Sequence, residues 1–275
     1  MVSKNEMKLV RQLEMKKYRQ KTGMFVAEGP KVVGDLLKCG FQPRLFFATS
    51  EYGGSLPTNA RTVGADELQR LSFLQHPQQV LAVFQLPVQE HVPAPCGLCL
   101  ALDGVQDPGN LGTIIRIADW FGIKVIYCSR DTVDAWNPKV VQATMGSIAR
   151  VTICYVELSD LLRSTDLPVY GTLLNGENLY SQELTADGII VMGNEGNGIS
   201  TEIRPLVGRR LFIPSYHPAD TAESLNVAIA TAITCAEFRR RQTRQGRTSI
   251  VNSSSSPMVS LTELQPSSTA LIRQD

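Results

Sequence analysis

Short apolar runs alternate with longer amphipathic stretches along most of this chain, and the alternation falls into two blocks. In the first, residues 3–21 predict a basic amphipathic helix. Ser3 caps it, Glu6 takes the capping-box position, and Leu9, Leu13 and Tyr18 lie on an apolar stripe. Strands are expected at 24–27, 45–48 and 80–86, and helices through Leu36 and Leu37 and over 65–74. Gly, Pro and Asn make 51–60 a loop. This block of about ninety residues predicts a small α/β domain.

Residues 87–97 (PVQEHVPAPCG) carry three prolines and little periodicity, which predicts an interdomain linker. Beyond it, strands are expected near 98–103, 124–128, 150–154, 168–173, 189–193 and 210–213. Helices are expected near 110–121, 137–145, 157–165, 199–206 and 222–243. Repeats of this length specify a mostly parallel sheet covered on both faces. The stretch 244–275 holds Ser253-Ser254-Ser255-Ser256-Pro257 and few large apolar residues, so a disordered tail is expected. The division read from the sequence is 1–90, a linker at 91–97, a second domain at 98–243, and the tail.

With 275 residues, 43% of them hydrophobic, the chain has material for one large or two modest cores. Its net charge of +1 conceals local clusters. Lys4, Lys8, Arg11, Lys16, Lys17, Arg19 and Lys21 face only Glu6 and Glu14 in the first helix, and Arg239, Arg240, Arg241, Arg244 and Arg247 crowd the last. Each cluster reads either as a solvated helix face or as a contact to RNA phosphates. No stretch approaches the ~18 apolar residues of a membrane span. The start, MVSKNEMK, has no apolar signal region. A soluble cytoplasmic protein is expected. Cys39, Cys128, Cys154 and Cys235 read as packing. Cys96 and Cys99 form a C-x-x-C, but a metal site needs a second ligand pair at suitable spacing, so an ordinary strand entry is the better reading and no metal is expected.

The chemistry concentrates in three polar loops at strand ends, where α/β proteins bind small ligands. The first, Asp107-Pro108-Gly109-Asn110-Leu111-Gly112-Thr113, turns at Pro108-Gly109 and offers Asn110 as a helix cap. Arg116 follows on that helix, where it either reaches a phosphate or ribose or pairs with an acid such as Asp119. The second, Gly193-Asn194-Glu195-Gly196-Asn197-Gly198, brings backbone close to a ligand. It is neither a Walker A loop nor G-x-G-x-x-G, and Glu195 disfavours a polyphosphate. The third runs from Ile213-Pro214 to Ser224-Leu225-Asn226 at the start of a long helix. Ser224 suits a cap, whereas Asn226, one turn in, is a poor interior choice.

Taken as an ordered set, Asp107 to Arg116, Gly193 to Gly198 and Ile213 to Ala230 resemble the three motifs of the SpoU/TrmH family of RNA 2′-O-methyltransferases, over roughly residues 98–242. The stretch from Ser3-Lys4-Asn5 to Phe25-Val26-Ala27-Glu28-Gly29 looks like the substrate-binding domain that precedes the catalytic domain in rRNA-directed members. The resemblance implies a SPOUT fold with a deep trefoil knot, S-adenosyl-L-methionine as cofactor, and an active site completed across a homodimer. By motif position the cofactor contacts fall on Gly193, Gly198, Ile213 and Leu225. Arg116, Asn110, Glu195, Ser224 and Asn226 take the catalytic places, with Arg116 clamping the phosphate beside the acceptor ribose. A guanidinium with a pKa above ~12 is a poor base.

The loop Ser215 to Glu223, with His217, Pro218 and Asp220, is longer than in many members. RNA is the implied partner, rRNA before tRNA. The alternatives are a tRNA enzyme, a catalytically silent RNA-binding or ribosome-assembly factor of the same fold, and an ordinary nucleotide-binding α/β enzyme.

Overall fold

The structure is a computed structural model that describes residues 2–217 and 224–252, with side chains as far as residue 242. The expected helix over 3–21 is two helices, α1 (Lys4–Gln12) and α2 (Lys16–Thr22). Ser3 and Glu6 complete the capping box of α1. The break at Leu13–Met15 has a cause: the Arg19 guanidinium donates to the carbonyls of Leu13 at 2.8 Å and Glu14 at 2.7 Å. Arg19 is only 2% exposed, so it leaves the basic face that the sequence assigned to it.

The N-terminal unit continues with β1 (Met24–Glu28), α3 (Pro30–Lys38), β2 (Pro43–Ala48), β3 (Ala60–Thr62), α4 (Ala65–Leu71) and β4 (Val80–Gln85). Its sheet runs β1-β4-β2-β3, antiparallel except for β2 with β3. The short β3 lies at the end of a stretch expected to be loop.

The C-terminal unit alternates β5 (Leu98–Leu102), α5 (Pro108–Trp120), β6 (Val125–Cys128), α6 (Pro138–Ala143), β7 (Thr152–Tyr155), α7 (Leu158–Ser164), β8 (Val169–Asn178), β9 (Gly188–Met192), β10 (Arg209–Phe212) and α8 (Val227–Asn252). All strand pairs in its six-stranded sheet, ordered β10-β8-β9-β5-β6-β7, are parallel. Every residue of β5 and β9 is buried, as strands covered on both faces require. The chain leaves β5 towards β6, while β9 flanks β5 on the other side. Loops diverge at such a switch and open a crevice.

Three expectations change. The helix near 199–206 is a single 3₁₀ turn, Arg204–Leu206. Ile199, Ile203 and Val207 keep a helical spacing and are buried, but Pro205 has no N–H to continue the ladder. Strand β8 runs on to Asn178 because its far end pairs with Leu211 and Phe212, after a register shift between Arg210 and Leu211. Helix α8 starts at Val227, not 222, and continues to Asn252, past the expected boundary at 243. The rest of the tail, from 253, lies outside the described residues.

The two units share one core. A single cluster of buried side chains joins Phe25, Val32, Leu36 and Phe84 of the first to Leu100, Ile114, Val141 and Phe238 of the second. The rings of Phe25 and Trp136 meet across the junction at 4.5 Å.

Candidate functional site

The loop after β5 enters α5 through Asp107, an extended N-cap whose side chain accepts the Asn110 N–H at 2.7 Å. Pro108 occupies the first helical turn, where a missing N–H costs nothing. Asp107, not Asn110, is therefore the cap. Asn110 sits three residues inside, and its side chain is released for other partners. Beside this loop, Asn226 caps α8: its Oδ1 accepts from Ala228 N at 2.9 Å and Ile229 N at 3.3 Å. This corrects its expected interior position and explains an Asn there. Ser224 and Leu225 precede the helix and are exposed.

The loop after β9 is closed by reciprocal backbone hydrogen bonds between Asn194 and Gly198, both 2.9 Å. Asn194 shapes it further, accepting from Gly196 N and Asn197 N and donating to Gly104 O at 2.7 Å. Gly193 is obligatory, since a Cβ there would lie 2.2 Å from Gly198 C and Ile199 N. Asp103, at the end of β5, holds the loop's exit by accepting Ser200 N at 2.7 Å. Sequence reasoning passed over Asp103, Asp107 and Asn194. Their signal was a polar residue beginning each loop.

These pieces bring the three loops together. Asn226 Nδ2 donates to Asn110 Oδ1 at 2.9 Å, and Asn110 Nδ2 donates to Glu195 Oε1 at 3.0 Å. Glu195 also accepts the backbone N–H groups of Gln106 at 3.3 Å and Asp107 at 3.2 Å. Partial burial works against its charge, but the Asn110 and backbone donors outweigh it and hold the carboxyl below its ordinary value. An anionic carboxylate thus stands in the crevice at neutral pH. Arg116 projects from α5 into solvent. Asp119, its candidate ion-pair partner, is taken by Arg150 at 2.7 Å. Arg116 has no ion pair or hydrogen bond among the described residues.

Helices α5 and α8 run side by side in the same direction: Asn110 meets Asn226, and Arg239 Nε donates to Phe121 O at 2.8 Å. That bond, with the pairing of Arg240 and Arg241 to Glu237, draws three of the five expected rim arginines into intramolecular contacts. The side chains of Arg244 and Arg247 lie outside the described residues, as do 218–223 of the longer loop.

A sequence model described as the SpoU rRNA Methylase family matches residues 97–236, more than half of the chain. The chain belongs to that family. A second model, the MRM3-like substrate binding domain, matches residues 4–82. The chain is 32% identical over 233 residues to a 23S rRNA guanosine 2′-O-methyltransferase of Bacillus subtilis, covering 81% of this chain and 91% of that protein. A TrmH-family structure from Porphyromonas gingivalis superposes with a TM-score of 0.79 at 42% identity, covering 88% of this chain and 99% of that one. An rRNA methyltransferase from Sinorhizobium meliloti with S-adenosylmethionine bound gives 0.76 at 31% identity, covering 88% and 97%.

The SpoU crevice fits that cofactor on its own chemistry. Glu195 supplies negative charge suited to a sulfonium, not to a polyphosphate. Ile213, partly buried after β10, and Leu225, 50% exposed before α8, flank the strand ends with apolar surface of the kind a nucleoside base covers. The sheet order sets the end of β10 near those of β8 and β9.

Proposed function

We propose that this SpoU-family protein transfers the methyl group of S-adenosylmethionine to a ribose 2′-hydroxyl of ribosomal RNA, as a cytoplasmic homodimer. The observation that carries the reading is the Asn226–Asn110–Glu195 chain, which ties all three motif loops into one crevice, together with an exposed Arg116 on α5 that has no ion pair or hydrogen bond among the described residues. Residues placed this way argue against a catalytically silent factor. Several relatives matched along most of the chain are named for rRNA, which favours rRNA over tRNA. No described helix is long and apolar enough to cross a membrane.

The cofactor brings an already activated methyl group, so the protein's task is alignment and proton removal. Gly193, Gly198, Ile213 and Leu225 are assigned to hold it, largely through backbone groups. Asn110, Glu195, Ser224 and Asn226 orient the acceptor sugar by hydrogen bonds. Arg116 pins the neighbouring phosphate in a bidentate grip. Residues 1–90 hold the RNA, with Lys4, Lys8, Lys16, Lys17 and Lys21 facing its phosphates.

A second copy belongs to the reading. At ~100° per residue, Arg116 lies about 240° around α5 from Asn110, so it points away from its own chain's crevice. The surface around these helices also exposes apolar side chains, with Trp120 86% and Ile229 51% exposed. A partner covering that face buries them and receives Arg116. A partner chain arranged this way, with the trefoil threading that the family resemblance implies, completes the proposed enzyme.

The test is incubation of ribosomal RNA and, separately, tRNA with labelled S-adenosylmethionine, then mapping of 2′-O-methyl nucleosides, with sedimentation to give the mass. A single methylated ribose in rRNA from a dimer is expected. Cofactor binding without transfer to either RNA would reject the reading in favour of the silent factor.

A further inference from the structure

The N-terminal unit is locked to the catalytic unit at three places. Arg19 is the first: its Nε donates to Asp134 Oδ2 at 2.9 Å, and its Nη2 reaches the same oxygen. The Phe25–Trp136 ring contact is the second. Arg150 is the third, and it differs in what it joins. Its Nη1 donates to Asp35 Oδ2 on α3 at 3.0 Å, while its Nε and Nη2 grip Asp119 Oδ2 on α5 at 2.9 and 2.7 Å. Asp119 is three residues beyond Arg116 on the same helix. One guanidinium therefore links the RNA-holding unit to the helix that presents the acceptor clamp.

The surroundings are shaped for this link. Asp35 is buried and also receives Lys31 Nζ at 2.9 Å. Gly146, at φ +94°, lies so close that a Cβ would sit 2.7 Å from Asp35 Oδ2 and 2.8 Å from its Cβ. Only glycine lets α3 approach this closely in that backbone conformation. On the opposite side, Gly112 of α5 packs so tightly on α6 that a Cβ would lie 2.4 Å from Ala143 Cβ. Helix α5 is thus held rigidly, and Arg150 ties it to α3.

Resting on the reading that the protein methylates an RNA ribose, we propose that Arg150 is a positioning residue. It fixes the distance between bound RNA and Arg116, and so selects which ribose along the strand is methylated. Misplacement of a reacting group by about 1 Å costs about 100-fold in rate. A unit that rocks on its junction presents neighbouring sugars in turn.

Arg150→Met, with Asp35→Asn as an independent variant on the other unit, tests this on the intact RNA substrate. Expected are unchanged S-adenosylmethionine affinity, a kcat at the wild-type ribose lowered about 10-fold with little change in KM, and methyl groups appearing one nucleotide to either side. Arg150→Lys, which has one point charge for two carboxylates, restores part of the selectivity. A single methylated ribose at undiminished kcat in both variants overturns the proposal. So does a loss that tracks folded fraction while the methylated position stays unique, because a purely structural role moves the amount of enzyme and not its choice of sugar. Failure of the parent reading is visible separately, as wild-type protein that methylates no ribose.

Discussion

The side-chain amide of Asn226, at the start of the last helix, donates to Asn110 Oδ1, 116 residues earlier in the chain, at 2.9 Å. Asn110 passes the polarity on to Glu195 at 3.0 Å. The carboxamide of Asn110 supplies an acceptor on one side and a donor on the other, so the order of residues in this relay is chemically directed.

Arg116→Ala should abolish most methyl transfer, by about 100-fold or more in kcat/KM, while leaving S-adenosylmethionine affinity nearly unchanged. Calorimetric titration of the cofactor beside a transfer assay separates the two effects. Wild-type turnover by the variant on its true substrate would contradict the phosphate-clamp role.

Asn110→Asp replaces the donor facing Glu195 with a second carboxylate at about the same separation. Two such groups cannot both ionise, and one pKa rises. At pH 8 the variant should be less active than Asn110→Ala, and its activity should recover as pH falls and one carboxyl takes a proton. A pH profile parallel to that of Asn110→Ala would remove the direct Asn110–Glu195 contact from the account.

Gly193→Ala places a methyl group where Gly198 and Ile199 backbone already lie, and the loop must shift to admit it. Overpacking of this kind costs about 1–3 kcal/mol. The variant should melt lower and bind cofactor weakly, whereas Gly196→Ala, whose added Cβ meets only Asn194 Oδ1 at 3.6 Å, should melt close to wild type. Thermal denaturation with and without cofactor compares them.

Glu6 accepts from Arg61 and Ser3, and the Arg61 hydrogen bond is foremost in holding its pKa at about 2 instead of 4.5. A depressed carboxyl stabilises the fold fully above its unfolded value and loses that contribution as pH falls from 4.5 towards 2. Both side chains are partly exposed, so solvent screening keeps the effect small. Wild-type Tm should drop more steeply than that of Glu6→Gln across this window; parallel curves would show the pair to be inert.

Much of this was legible from the chain because burial on both faces writes itself as continuous apolar runs: the strands expected near 98–103 and 189–193 are β5 (Leu98–Leu102) and β9 (Gly188–Met192). The motif loops were legible from residue content. Their wiring was not, since Asn110, Glu195 and Asn226 are brought together by sheet order and not by spacing. Arg19 looked like one more cation on a basic helix because the acid it meets, Asp134, lies 115 residues away. The expected helix near 199–206 failed at Pro205, a signal present in the sequence and outweighed by the apolar period.

The shared interior has an evolutionary corollary. Because Phe25, Val32 and Leu36 pack into the same cluster as Ile114 and Val141, neither half has a finished hydrophobic surface without the other. Transplanting a foreign RNA-recognition module onto residues 98–242 would leave apolar side chains wet unless the newcomer also carried a matching face. Retargeting this protein by exchanging modules should therefore fail more often than altering exposed side chains in place.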